Sequence, residues 1–272
     1  MWGSTGRWFR ATGGLADRSA RAGTDSMRTE SNTMLITGGA SGIGLALAER
    51  FLGRGNHVLL CGRREDKLRE VKERLPDLEI RVADLAKETD RHAVLDWAVT
   101  GFPSLNVLVN NAGVQRYPDF PGGVSWESIR EEIAINLDAP IHLTALFLPH
   151  LLKQPRAAVV NVTSGPAFVP IARAPVYSAT KAGLHSFTRS LRRQLSGTPV
   201  EVIEIIPPAV DTDLGGPGLH TFGVPVGELV DHVMAQLANG AIEVAYGFAQ
   251  QASGASREDL EGMFARMNPT AP

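Results

Sequence analysis

The chain has 272 residues, enough for one large domain or two small ones. Hydrophobic residues make up 43% and charged residues 21%, which excludes a wholly disordered chain, and 27 basic against 29 acidic residues leave a net charge of -2, with no global positive field to gather nucleic acid or anionic lipid. The single cysteine, Cys61, excludes an internal disulfide framework and a cysteine-cluster metal site; no metal site is expected, and a reducing compartment fits.

Residues 1–26 differ from the rest. They hold Arg7, Arg10, Arg18 and Arg21, two acids (Asp17 and Asp25), many small residues and no apolar periodicity. Such a segment reads as a disordered leader, or as an upstream start with Met27 as the true first residue; an Arg-rich, acid-poor transit peptide is the other reading. From residue 33 strand and helix patterns alternate. Apolar runs at 34–36, 57–61, 79–83, 105–110, 158–162, 200–206 and 242–246 read as strands, with helical patterns at 45–52, 65–75, 90–99, 126–151, 175–195 and 227–237 between them. The strands are near-continuous in Val, Ile and Leu, as expected when helices cover both faces. Right-handed crossovers then predict a single α/β domain over 27–272, a doubly wound parallel sheet of about seven strands. No stretch approaches the 18 or so apolar residues of a membrane span, so a soluble, cytoplasmic protein is expected.

A glycine cluster, Thr37-Gly38-Gly39-Ala40-Ser41-Gly42-Ile43-Gly44, lies between the first strand and its helix. Glycines let backbone approach a pyrophosphate, while the helix start presents free N–H groups and a positive dipole end. The spacing is Gly-x-x-x-Gly-x-Gly. With Asp84, Asn110-Asn111-Ala112-Gly113, Asn136, Ser164, Tyr177-Ser178-Ala179-Thr180-Lys181 and Pro207-Pro208-Ala209-Val210-Asp211-Thr212 in that order, the chain resembles the classical branch of the short-chain dehydrogenase/reductase superfamily. A closer likeness is to the DltE-like oxidoreductase group, carried by residues 110–116, 207–222 and Arg266-Met267-Asn268; that group's pattern also starts near Met27.

The resemblance implies a Rossmann-type fold and a nicotinamide cofactor held by Gly38, Ser41, Gly42, Ile43, Gly44, Asp84, Leu85, Asn110, Ala112, Gly113, Pro207, Val210 and Thr212. Asp84 would accept from the adenine amino group, or else cap the following helix. Where NAD-preferring domains end the second strand with a carboxylate, this chain has Gly62 followed by Arg63 and Arg64. A guanidinium can bind a 2′-phosphate through paired charge-assisted hydrogen bonds, which points to NADP(H), with NAD(H) as the alternative.

Tyr177 and Lys181 are four residues apart on a helix and share one face. A nearby ammonium is expected to lower the phenol pKa and fit Tyr177 for acid–base work. By resemblance Ser164 is the hydrogen-bond donor to the substrate oxygen, Lys181 also holds the nicotinamide ribose, and Asn136 anchors a water that links Lys181 to solvent. The implied reaction is hydride transfer between nicotinamide and a carbonyl or secondary alcohol. A same-fold epimerase or dehydratase, and a non-catalytic nucleotide-binding regulator, are the alternatives.

Substrate contacts are expected on loops at the carboxyl ends of the strands, from Gln115, Arg116, Phe168, Arg173 and a glycine-rich lid over 211–225 that carries His220. Two arginines there suit an anionic or polar small molecule. Pro208 stands where the family commonly has Gly, and it stiffens the loop. The family usually forms homodimers or homotetramers through helices matching 139–152 and 182–195, which are apolar enough here to do so.

Overall fold

The computed structural model describes residues 27–269, so the reading of 1–26 as a leader lies outside the described residues. Seven strands form one parallel sheet in the order β3-β2-β1-β4-β5-β6-β7: β1 (Thr33–Thr37), β2 (His57–Gly62), β3 (Glu79–Val82), β4 (Leu105–Asn110), β5 (Ala157–Val162), β6 (Val200–Ile206) and β7 (Glu243–Ala245). This is the doubly wound α/β sheet that the alternation predicts. Every residue of β1 and β5 is buried, because helices pack on both faces of the central strands. The edge strand β3 is partly exposed, with Val82 at 46%.

One face packs α1 (Gly42–Leu52), α2 (Glu65–Arg74) and α7 (Val226–Ala238) against Met34, Ile36, Val107 and Ile203. The other packs α3 (Glu88–Gly101), α5 (Ala139–Leu151) and α6 (Pro175–Gln194) against Leu35, Leu59, Leu108 and Val159. Alternate residues of one strand serve opposite cores, the period-2 geometry of an extended chain. Cys61 is fully buried in the second core and burial pushes its thiol up to about 12, so it behaves as an inert apolar group. No helix among the described residues is long and apolar enough to cross a membrane.

The structure departs from the sequence expectation in two places. The helix expected from 126 through 151 is α4 (Trp126–Ile133), a π-helical turn at Ala134–Asp138, then α5, one winding with a bulge in its middle. Two further helices, α8 (Phe248–Ser253) and α9 (Arg257–Met267), follow β7 where no helix was expected. They are short and bury little beyond Ala249, Ala252 and Met263, too few apolar positions to show a helical period.

The strand order reverses at β1, where β1 pairs β2 on one side and β4 on the other. Loops leaving the carboxyl ends of β1 and β4 therefore diverge and open a crevice, the topological switch point.

Candidate active site

The crevice is a cavity of about 1370 Å³, larger than the 300–1,000 Å³ of a typical small-molecule pocket and roomy enough for a dinucleotide beside a second small molecule. One end is built by the β1–α1 turn. Gly38 sits at φ +67°, and a Cβ there would stand 2.8 Å from the Ala112 Cα; a Cβ on Gly44 would stand 2.4 Å from Asn111 Nδ2 and 2.7 Å from the Gly38 carbonyl. Thr37 locks the two turns together: its hydroxyl donates to the Val109 carbonyl at 3.2 Å and accepts from the Asn111 and Ala112 N–H groups at 3.0 Å each. Ser41, the N-cap of α1, makes no side-chain capping bond, and the first turn carries no acid, so the positive end of α1 is left to whatever occupies the cavity.

Gly38, Ser41, Gly42, Ile43, Arg63, Arg64, Asp84, Leu85, Ala112, Gly113, Pro207, Val210 and Thr212 all line this cavity. Gly44 and Asn110 do not. Gly44 is a packing glycine behind the turn, needed for the approach of Asn111. Asn110 points down into the sheet, donating to Asn161 Oδ1 at 2.9 Å and to the Thr144 hydroxyl at 3.2 Å. Asn111, one residue on, lines the cavity instead and donates to the Thr37 carbonyl at 2.9 Å. Asp84 accepts from the Ala86 N–H at 3.2 Å rather than capping α3, which starts beyond it at Glu88.

The two arginines after β2 have separate partners. Arg64 donates to the Ser41 hydroxyl at 2.7 Å, reaching back to the glycine turn. Arg63 pairs with Glu131 on α4 at 2.9 Å, and both stay open to solvent. The same Glu131 takes Arg116, at 2.5 Å, and the two arginines hold its carboxyl below the usual carboxylate range. Arg116 also donates to the Ser128 carbonyl at 2.9 Å. Arg116 thus lines the cavity with its guanidinium hydrogen-bonded to α4. Glu131 was not foreseen, because one acid in the charged run of α4 carries no distinguishing signal.

At the other end, Tyr177 and Lys181 project from α6 toward Ser164 at the tip of β5. Tyr177 is 5% exposed, Lys181 4% and Ser164 6%. Burial pushes the Tyr177 phenol up to about 12; the Ser164 hydrogen bond opposes this, and nearby Glu132 and Tyr117 add to it. Lys181 Nζ donates to the Val162 carbonyl at 2.8 Å and lies 5.7 Å from the centre of the Tyr177 ring. Burial lowers the lysine to about 8. The phenol is therefore raised, not lowered as the spacing with Lys181 suggested, and desolvation in this dry site is the largest cause. Asn136 lies in the π-helical turn, fully buried and outside the cavity lining. It is pinned to Val114, accepting from its N–H and donating to its carbonyl at 2.8 Å each, and donates to the Thr180 hydroxyl at 3.3 Å.

The remaining wall comes from scattered segments. Gln115, Arg173 and His220 line it, as do Phe222, Phe248 and Met267. Arg173 stacks over the Tyr117 ring at 5.0 Å. His220 is buried at 7% exposure with Nδ1 unpaired, and burial first, then Arg173, holds its pKa below the ordinary value, so it is neutral at neutral pH. Phe168 does not reach the cavity; it lies edge-on to His185 at 4.6 Å, among Val169, Ala252 and Met263. Asn268, just past α9, accepts from the Ala172 N–H at 2.6 Å and donates to the Pro170 carbonyl at 2.9 Å, so the C-terminal segment clamps the loop before α6. The 211–225 loop is clipped at its base by Asp211 N–H to the Val224 carbonyl at 2.9 Å and Val224 N–H to the Ala209 carbonyl at 3.0 Å, and Phe222, two residues before Val224, is 70% exposed.

Outside this lining, Glu88, His92 and His142 gather on α3 and α5. Arg91 Nε donates to His142 Nδ1 at 2.9 Å, which keeps the proton on the ring's other nitrogen and makes the trio a poor cation site.

A family profile for short chain dehydrogenases matches residues 32–219. The oxidoreductase DltE of Bacillus subtilis is 47% identical over 248 residues, 89% of this chain and 98% of that protein. A short chain dehydrogenase from Burkholderia cenocepacia, solved in complex with NADP, superposes with a TM-score of 0.77 at 27% identity, covering 90% of this chain and all of that one. A short-chain dehydrogenase from Sphingobium yanoikuyae in complex with NADPH gives 0.74 at 26%, covering 89% and 98%. With the glycine turn, the buried Ser–Tyr–Lys set and the switch-point cavity in one frame, the chain belongs to the short-chain dehydrogenase/reductase family and is an oxidoreductase.

Proposed function

We propose that this oxidoreductase uses NADP(H) to interconvert a carbonyl and a secondary alcohol on a small polar substrate, with Tyr177 as the proton donor and acceptor. The observation that carries the reading is that Ser164, Tyr177 and Lys181 meet, buried, in the same cavity as the uncapped start of α1.

The residues fit the cofactor. Gly38 and Gly44 keep clear a turn that a Cβ would disrupt, the first N–H groups of α1 suit a pyrophosphate, and Arg63 and Arg64 supply the positive charge that a 2′-phosphate needs. The similar Burkholderia cenocepacia and Sphingobium proteins hold NADP and NADPH, which is in line with that choice. The bound nicotinamide supplies or accepts the hydride.

Tyr177 holds the proton that passes to the substrate oxygen in reduction. Burial keeps the phenol in its neutral, donating form. Ser164 shares that hydrogen-bonding position and stabilises charge growing on the oxygen. Lys181, fixed against the Val162 carbonyl, places a positive charge beside the phenolate left after transfer. Asn136 fixes the Val114 segment next to Lys181, the route by which a water restores the proton. Arg173, stacked on Tyr117, and neutral His220 suit a substrate with an anionic group near its carbonyl. Assembly into a homodimer or homotetramer through α5 and α6 belongs to the same reading.

The test is a panel of aldehydes and ketones, with and without a neighbouring carboxylate, read at 340 nm with NADPH and then NADH. Net NADPH consumption, greatest with the carboxylated members, is expected. An epimerase, a dehydratase or a non-catalytic nucleotide-binding protein binds NADPH without consuming it, and that result would replace the proposal.

A further inference from the structure

β6 runs VEVIEII and is buried nearly throughout, yet Glu204 in its middle is 0% exposed. A carboxylate in a buried parallel strand carries a large desolvation cost unless it is paired, and such strands are otherwise built from Val and Ile. Glu204 is paired. His185 Nδ1 lies 2.9 Å and 3.0 Å from its two oxygens, and the Thr163 hydroxyl donates to Oε1 at 2.7 Å. None of these three groups has a part in the proton chemistry described above.

Their positions along the chain matter more than their charges. Thr163 sits between Val162, whose carbonyl takes Lys181 Nζ at 2.8 Å, and Ser164, which lines the same cavity as Tyr177. His185 follows Lys181 by one helical turn and Tyr177 by two on α6. One buried carboxylate thus joins the tip of the strand that carries Ser164 to the helix that carries Tyr177 and Lys181. Charge-assisted hydrogen bonds are shorter and stronger than neutral ones, so this link resists relative sliding better than apolar packing would.

We infer that Glu204, held by His185, is a positioning residue that acts through Thr163 to set the Ser164 hydroxyl against the Tyr177 phenol. The inference rests on the assignment of Ser164 and Tyr177 to the reacting set, so its readout is chosen to be independent of turnover.

The chain has three tyrosines, Tyr117, Tyr177 and Tyr246, few enough to resolve by NMR with tyrosine labelled with carbon-13 at Cζ. Loss of a line in Tyr177→Phe assigns the Tyr177 signal, and Ser164→Ala gives its displacement when the Ser164 hydroxyl is removed. Glu204→Gln and Thr163→Val should each move the Tyr177 line in the Ser164→Ala direction and leave Tyr246 in place, while Thr163→Ser, which keeps the hydroxyl, restores it. NADPH binding, followed by its fluorescence, should stay within about three-fold of wild type, since the glycine turn is untouched. If Glu204→Gln fails to fold, Thr163→Val carries the test alone. A Tyr177 line unmoved in folded Glu204→Gln or Thr163→Val, with only the melting temperature lowered, would overturn the inference and leave Glu204 a packing element. Absence of turnover in the carbonyl panel would instead count against the proposed reaction and leave this result standing.

Discussion

The two ends of the cavity are built by different means. At the cofactor end, Gly38 and Gly44 act through the backbone, with a positive φ and two approaches that leave no room for a Cβ, and the Thr37 hydroxyl ties this turn to the loop after β4. At the substrate end, Gln115, Arg173, His220, Phe248 and Met267 come from five separate segments and act through side chains. A surface of backbone recognises what all nicotinamide dinucleotides share. A surface of dispersed side chains changes one residue at a time, which is how one scaffold serves many substrates.

The largest effect expected separates chemistry from both surfaces. Tyr177→Phe should lower turnover by about 10²–10⁴-fold, the range for loss of a positioned acid–base group, while NADPH still binds, checked by fluorescence titration. Next comes the charge at the cofactor end. Arg63→Ala should weaken NADPH by about 10–100-fold, the worth of one hydrogen bond to a charged group, and leave NADH within experimental error; equal losses for both would remove the arginine from phosphate recognition. Gly44→Ala forces Asn111 and the Gly38 carbonyl apart, and about 1–3 kcal/mol of overpacking should weaken NADPH and NADH together by about ten-fold or more.

The buried pair gives a pH signature. Lys181 titrates at about 8 in the fold against an ordinary value of 10.5, so its contribution to stability is complete above 10.5 and is lost as pH falls through 8. The Tyr177 phenol, raised to about 12 from 10.0, costs stability as pH climbs from 10 to 12. Melting temperature should therefore rise from pH 8 toward 10 relative to Lys181→Met; a flat difference would mean that the lysine is not desolvated. The smallest effect belongs to the substrate end. Asn268→Ala frees the 170–172 loop and should raise KM by a few-fold with kcat little changed, consistent with about 1 kcal/mol of lost hydrogen bonding.

Legibility in the sequence followed the same divide. Strand–helix alternation predicted the doubly wound sheet, because buried strands and amphipathic helices have distinct periods. Residues 37–44 predicted the turn, because glycine is the residue that turn demands. Asn110 and Asn111 show the limit: Asn110 ends β4 and bonds into the sheet, Asn111 just past it lines the cavity, and the motif alone does not tell them apart. α8 and α9 went unseen because α8 buries only Ala249 and Ala252, and α9 only Met263. Glu131, which binds Arg63 and Arg116 at once, and Glu204 beneath Ser164 are isolated acids in sequence; only the fold brings their partners to them. The raised phenol is of the same kind, since burial depth is a property of the packed site.

The central claim is that a proton held on Tyr177 is needed for reduction but not for cofactor binding. Wild type and Tyr177→Phe, each loaded with NADPH and mixed with the same carbonyl compound, can be compared for loss of the 340 nm band in a single turnover. The band should decay in wild type and persist in the variant with NADPH still bound; decay at equal rates in both would contradict the claim.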